Sequence, residues 1–259
     1  MNPIRTAVIA SNVFREVIRD RALYLIGFFA IAIVSASVLL PKVSAGTGNK
    51  IILDVGLAAI GILGMLIAVF VGTGLVNKEI EKRTVYVMIA KPISRAEFIV
   101  GKHLGLSAVL VVLVAAMTLI NLGVLQIQHF SFPLRSILIA EFFQFLELSL
   151  ITAVAILFGV FTSSLLATLL TIAIYFMGHF SRDLVALGAM SKDPNVQQIA
   201  NSIYLVLPDL SRLNLRNQAI YGIDLLPQPA ELLGNIGYAL LYTLLLLTIA
   251  TLIFSRREF

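Results

Sequence analysis

The sequence predicts an all-α protein that crosses a membrane several times. Three observations carry that expectation. Of 259 residues, 59% are hydrophobic and only 13% are charged, against roughly 45–50% and about 25% in an ordinary soluble domain. Mean hydropathy is +0.98. The apolar residues also gather into stretches of about 20, the length a helix needs to cross about 30 Å of hydrocarbon. So little polar surface cannot coat a water-soluble globule of this size, and the chain is too apolar for disorder. There is no Cys, which excludes disulfides, thiolate metal sites and a Cys nucleophile. The net charge of +5 reads as a topological signal rather than a nucleic-acid footprint, and no nucleic-acid partner is expected.

Residues 1–21 come first. Val13, Phe14, Val17 and Ile18 share one helical face, with Asn12, Arg15, Glu16, Arg19 and Asp20 opposite. Ile4 and Val8 fall off that stripe. A basic amphipathic helix leading into a span lies in the membrane interface, either as a topological anchor or as an elbow that braces the bundle. Six apolar stretches follow: 22–40, stopped by Pro41, then 51–76, 104–125, 137–161, 165–180 and 234–254. The first is too long for a cleaved leader, although Val43-Ser44-Ala45 offers small residues. Only Thr162-Ser163-Ser164 separates the fourth from the fifth, which reads as a tight helical hairpin. With the N-terminus inside, 12 of the 19 Lys and Arg lie on the cytoplasmic side. Four of the other seven fall in one long loop. This bias places both termini in the cytoplasm, as an even number of spans requires.

The segment 77–103 reads NKEIEKRTVYVMIAKPISRAEFIVGKH and is dense in both charge signs. Pro92 disfavours helix at Lys91. Ser94 and Glu97 form a capping box, so a helix is expected from Ser94 into the third span. Upstream, Glu79 to Ala90 looks like a separate short helix with Val85, Met88 and Ile89 on its apolar side. Two short helices around a fixed turn make a rigid cytoplasmic protrusion suited to docking; the plainer alternative is a charged loop that only pins topology. The loop 181–233 is too long to be featureless. Ile199, Ile203, Tyr204 and Leu207 suggest one helix ending at Pro208-Asp209, and Leu213, Leu215, Ala219, Ile220 and Tyr221 a second element. A lid, interfacial helices and a structural cap remain open for it.

Within the fourth span, Glu141, Gln144 and Glu147 fall on one 120° arc. Ionisable residues at mid-membrane cost roughly 2.5–3.5 kcal/mol on insertion scales and face the bundle interior or a wet path. They mark either a translocation path or helix-movement switch, or an interhelical hydrogen-bond staple. Asp54, at a span end near water, is given no role. No Walker A loop exists: Gly101-Lys102 is followed by His103 and lacks the preceding Gly. His103, His129 and His179 are scattered near span ends, where a lone His is usually interfacial. No catalytic or metal-ligating set is expected in this chain, and no cofactor.

These features together resemble a permease subunit of the ABC-2 type exporters, and within them the NosY-like group. The resemblance runs along essentially the whole chain. Its specific part is Gly72-Thr73-Gly74-Leu75-Val76, then Glu79-Ile80-Glu81-Lys82-Arg83-Thr84, then Lys91-Pro92-Ile93-Ser94-Arg95 and Gly101-Lys102. Pro208-Asp209-Leu210, Asn214-Leu215-Arg216-Asn217 and the terminal Arg256-Arg257-Glu258-Phe259 fit the NosY-like group. Arg83 stands where many members have Gly. The resemblance implies six transmembrane helices with an N-terminal elbow, a cytoplasmic coupling helix within 79–91 and a helical extracytoplasmic loop. It implies a multi-pass inner-membrane protein that is no enzyme itself. A separate ABC-type ATPase subunit carries ATP and Mg, and a second permease copy completes a homodimer in a 2+2 assembly. Glu79, Glu81, Arg83 and Thr84 would then contact the ATPase or brace the loop, with Lys91, Pro92, Ser94 and Arg95 at its turn. Two other readings are a mechanotransmitting subunit acting on an extracytoplasmic protein without passing substrate, and an intramembrane enzyme built on Glu141, Glu147 or a histidine.

Overall fold

The computed structural model describes residues 2–19, 23–43, 48–81, 93–191 and 193–256. Among them lie ten α-helices: α1 (Pro3–Val17), α2 (Leu23–Val43), α3 (Gly48–Glu81), α4 (Arg95–Ile127), α5 (Leu134–Phe161), α6 (Ser164–His179), α7 (Ser181–Met190), α8 (Pro194–Val206), α9 (Arg216–Tyr221) and α10 (Pro229–Arg256). Two single 3-10 turns, Leu210–Arg212 and Ile223–Leu225, flank α9. Four helices are long and apolar enough to span a bilayer: Lys50–Asn77 within α3, then α4, α5 and α10. Helices α6 and α7 make a fifth such span if taken together, bent by 58°. Helix α2 is apolar over the shorter stretch Leu23–Leu39. The bend after α6 has a local cause. The Ser181 hydroxyl donates back to the Gly178 carbonyl at 3.0 Å, which places a side chain in the backbone ladder.

Helix α5 is the most enclosed and packs against α3, α4, α6 and α10. The others keep an apolar outer face, with Tyr24, Ile31, Leu119, Leu165 and Leu241 all exposed. That pattern suits a hydrocarbon surround, where burial alone does not choose helix neighbours and small residues and polar ties do.

Helix α1 begins at Asn2, whose side chain accepts from the Ile4 N–H at 3.0 Å, with Pro3 in its first turn. Val13 and Val17 are buried, Phe14 and Ile18 pack beside them, and Ile4 and Val8 are exposed. The face read from sequence is therefore the one that packs, and it packs along α4. Gly101 and Gly105, one turn apart, permit the contact. A Cβ on Gly105 would stand 2.6 Å from the Ala10 carbonyl oxygen, and one on Gly101 2.8 Å from the Ile9 Cβ.

The hairpin between α5 and α6 turns at Thr162 and Ser163, as expected. Asn77 of α3 donates to the Thr162 carbonyl at 3.0 Å, and the Thr73 and Thr168 hydroxyls lie 3.1 Å apart.

Three expectations change. Helix α3 runs unbroken through Glu81, so no separate helix starts at Glu79; nothing between Val76 and Glu81 interrupts the ladder. Residues 82–92, including Arg83, Thr84, Val85, Met88, Ile89, Lys91 and Pro92, lie outside the described residues. His103 is not interfacial: it is buried, with Nε2 3.0 Å from the Ser149 carbonyl oxygen. Part of the loop 181–233 enters the bundle. Leu210, Leu213, Leu215 and Ala219 are buried, α9 packs against α3 and α5, and the Ser136 hydroxyl donates to the Ala219 carbonyl at 2.8 Å.

Asp209 organises the entry of this segment. Its Oδ2 accepts from Arg182 Nε and Arg212 Nε, both at 2.9 Å, and from the Tyr204 hydroxyl at 3.2 Å. Its Oδ1 accepts from the Ser211 and Ser181 hydroxyls, and its N–H donates to the Tyr238 hydroxyl at 2.7 Å. The buried carboxylate thus ties α7, α8 and the 3-10 turn, and the backbone N–H of the same residue adds α10. Burial raises its pKa, but the bonds from Ser211, Arg182 and Arg212 and the Arg182 charge outweigh that, leaving it below the ordinary aspartate value.

Two predictions follow from these contacts. Gly105→Leu forces α1 off α4 and lowers detergent-solubilised thermal stability by roughly 1–3 kcal/mol, the usual cost of overpacking; an unchanged melting curve contradicts the packing. Asp209 has a depressed folded pKa, so its contribution is complete above the unfolded value of about 4 and is lost as pH falls below it. Melting temperature measured against pH should drop below about pH 4 more steeply in the wild type than in Asp209→Asn; parallel curves refute the assignment.

Candidate functional site

Two regions hold the residues singled out from sequence. The first is the end of the bundle where α3 stops and α4 starts. Ser94 caps α4: its hydroxyl accepts from the Glu97 N–H at 3.1 Å, while Glu97 accepts from the Ser94 N–H at 2.9 Å. The expected capping box is present. Glu97 also accepts from the Asn2 N–H at 2.5 Å, which brings the start of α1 to the same point. Arg95 donates to the carbonyls of Phe254 at 2.5 Å and Ser255 at 2.7 Å. It therefore satisfies carbonyls at the end of α10, where a cation also suits the helix dipole. The Phe98 and Phe254 rings stack at 5.5 Å. Glu79 on α3 forms an ion pair with Lys102 on α4. Of the eight residues assigned to this region, Glu79, Ser94 and Arg95 are described with their contacts. Glu81 is the last residue of α3, and Arg83, Thr84, Lys91 and Pro92 lie outside the described residues. The two ends from which 82–92 departs are thus cross-braced by Glu79–Lys102, and the α4 end is tied to α1 and α10.

The second region is inside the bundle. Glu141, Gln144 and Glu147 are buried on α5, and the structure brings them together with residues that sequence reasoning did not assign. Tyr175 and His179 come from α6, and Arg216 from α9. The Arg216 guanidinium fills the space a side chain at Gly61 would need: a Cβ there would lie 2.4 Å from Nη1 and 3.3 Å from the Gln144 Oε1. Arg216 also accounts for electrostatic interactions with both Glu141 and Glu147, and Tyr175 interacts with both Arg216 and Glu147. Arg216 Nε donates to Asn214 Oδ1 at 3.0 Å. Even so, the side-chain polar atoms of Glu141, Gln144 and Glu147 have no partner in hydrogen-bond geometry among the described residues. Buried polar groups without partners cost free energy. Glu141, Gln144 and Glu147 gather these atoms along one helix, with Arg216 of α9 beside Gln144.

His179 and Glu147 constrain each other. The His179 Nδ1 lies 3.0 Å from the Tyr175 carbonyl oxygen, which can only accept, so Nδ1 carries hydrogen. Nε2 then faces Glu147 Oε1 at 3.4 Å. The separation and angle are looser than a hydrogen bond's, so the two groups are in contact without a bond between them. Glu141 stands apart from this pair and lines a groove between α4 and α5 beside Thr118. Arg216 was visible in sequence only as part of Asn214-Leu215-Arg216-Asn217. Nothing in that position announced that α9 would turn inward.

With this geometry in view, comparison with known families is specific. The model of the ABC-2 family transporter protein matches residues 7–259, and the chain belongs to that family. No curated protein matches it. The family's permeases are membrane components that work with an ATPase subunit and are not ATPases themselves.

The His179–Glu147 contact can be measured. A double-mutant cycle of thermal unfolding with Glu147→Gln and His179→Phe should give a coupling within the ~0.5–3 kcal/mol typical of residues in contact. Additive effects would mean the two groups do not interact.

Proposed function

We propose that this chain is the membrane-spanning permease subunit of an ABC-2 type exporter, driven by a separate ABC-type ATPase subunit that binds ATP and Mg. The observation that carries the reading is the family match over 7–259, and the braced base of the charged strip 77–103 gives it a mechanical basis. Helix α3 ends at Glu81 and α4 is capped by Ser94. An ion pair joins these two helix ends, and α1 and the end of α10 anchor the start of α4. Force applied by an ATPase to such a strip reaches α3, α4, α1 and α10 together. A loose loop would absorb it.

In this reading α2 and the bent α6–α7 pair complete six spans, with both termini on the cytoplasmic side of the inner membrane and α1 as the elbow. Two copies face each other, each with one ATPase. A mechanotransmitting role is the second reading, and the Asp209 junction favours it. That junction couples the segment outside the bundle rigidly to α10, so motion of α10 is delivered to an extracytoplasmic protein without a solute passing. The intramembrane-enzyme reading is the weaker one, because Glu141 sits beside Thr118 while Glu147 is engaged with His179.

Copurification from membranes tests the proposal. A tagged chain should retain an ABC-type ATPase, and the pair Glu79→Ala with Lys102→Ala should reduce the permease-dependent part of ATP hydrolysis several-fold while membrane insertion is unchanged. A chain that never retains an ATPase, or hydrolysis indifferent to both substitutions, defeats it. Reconstituted transport that survives only with an extracytoplasmic partner present would favour the second reading.

A further inference from the structure

Helix α8 is left uncovered by the bundle. None of its 13 residues is buried, yet they are sorted by polarity. At about 100° per residue, Val196, Ile199, Ile203 and Val206 fall within one arc of about 80°. Gln197, Gln198, Asn201 and Ser202 take the other side. The apolar stripe is open, with Val196 45%, Ile199 60% and Val206 75% exposed. Helix α7 touches only its edge: a Cβ on Gly188 would stand 2.7 Å from the Ala200 Cβ. No residue from Pro194 to Val206 is charged, although a helix surface turned to water normally carries charges.

Helix α10 fixes the depth of this stripe. The Tyr242 hydroxyl donates to the Val206 carbonyl at 2.7 Å, and Tyr238, one turn earlier, accepts from the Asp209 N–H. Helix α10 has 28 residues, about 42 Å of length, more than the ~30 Å of hydrocarbon. Counted from its charged end at Arg256, about 27 Å is used up on reaching Tyr238. Tyrosines with bonded hydroxyls belong at that boundary. From there toward Arg256 the outer face of α10 is aliphatic, with Leu241, Leu245 and Leu252 exposed. The end of α8 joins this face directly, since Leu205, Val206, Tyr242, Leu245 and Ile249 line one hollow. We propose that α8 is a bilayer-surface anchor: the stripe Val196, Ile199, Ile203 and Val206 rests on the acyl chains beside α10, and the uncharged polar side lies among head groups and water. Water alone would strand a row of aliphatic side chains. A protein partner would be held through aromatic or Arg anchors, and the stripe has neither. The inference does not rest on the export reading, and it withdraws this stripe from the surface open to an extracytoplasmic protein.

The chain has no Cys, so one introduced Cys carries a spin label alone. Full-length protein with a single substitution, Val196→Cys, Ile199→Cys, Val206→Cys, Gln198→Cys, Asn201→Cys or Ser202→Cys, is reconstituted into phosphatidylcholine vesicles. Electron paramagnetic resonance then measures collision with oxygen, which concentrates in hydrocarbon, and with a water-soluble nickel chelate. Leu241→Cys, on the exposed face of α10, is the lipid reference. The oxygen-to-nickel ratio should follow the helical period and be about threefold or more higher at 196, 199 and 206 than at 198, 201 and 202. Adding Val196→Glu and Val206→Glu to Ile199→Cys should bring the ratio at 199 down to that at 198; all three positions are exposed or lie at the helix surface, so the fold does not depend on them. Three outcomes overturn the proposal. Nickel collisions as frequent at 199 as at 198 put the stripe in water. Low collision rates with both reagents at 199 put protein over it, and disulfide crosslinks through Ile199→Cys identify that protein as a second copy. A ratio at 199 indifferent to the paired Glu substitutions means that lipid does not hold the helix.

Discussion

Hydrocarbon on the outside removes the usual reason for a helix to choose its neighbours. Apolar side chains are equally content against lipid or against each other, so the arrangement depends on the few places where backbones approach closely or polar groups must find one another. In this molecule those places are specific. Gly101 and Gly105 admit α1 to α4, and Gly61 on α3 leaves the volume that Arg216 occupies. Asn77 holds the α5–α6 turn, and Arg95 closes the end of α10. Each tie answers a backbone or side-chain group that lipid could not satisfy. The large apolar surface fixes that the chain is in a membrane; this small polar set fixes how it is folded there.

The same constraint explains how much was legible in the sequence. Helix existence and rough extent followed from apolar length, and the α4 start followed from Ser94 and Glu97, because capping is local chemistry. The packing face of α1 was legible because 3.6-residue periodicity is local too. A helix starting at Glu79 was not borne out, because nothing in residues 77–81 gives α3 a steric or hydrogen-bonding reason to stop before Glu81. His103 looked interfacial by position, yet a carbonyl on α5, 46 residues away, receives it.

The candidate site was half legible for a similar reason. Glu141, Gln144 and Glu147 declared themselves as polar residues within an apolar run. Their partners did not, since Tyr175, His179 and Arg216 reach them through the tertiary path of α6 and α9. Arg216 in particular sits in a stretch that sequence alone places outside the bundle. Arg216 changes the make-up of the group: with it, one cation stands among two carboxyls and an amide.

The inward course of 210–221 bears on how the molecule is made. Helix α9 occupies a slot between α3 and α5, yet Arg216 is synthesised 55 residues after Phe161 closes α5. At about 5–20 residues per second, ribosomes take roughly three to ten seconds to cover that distance. Throughout that interval the nascent bundle carries an open seam beside buried acids, which the insertion machinery or lipid must keep from collapsing until the wedge arrives.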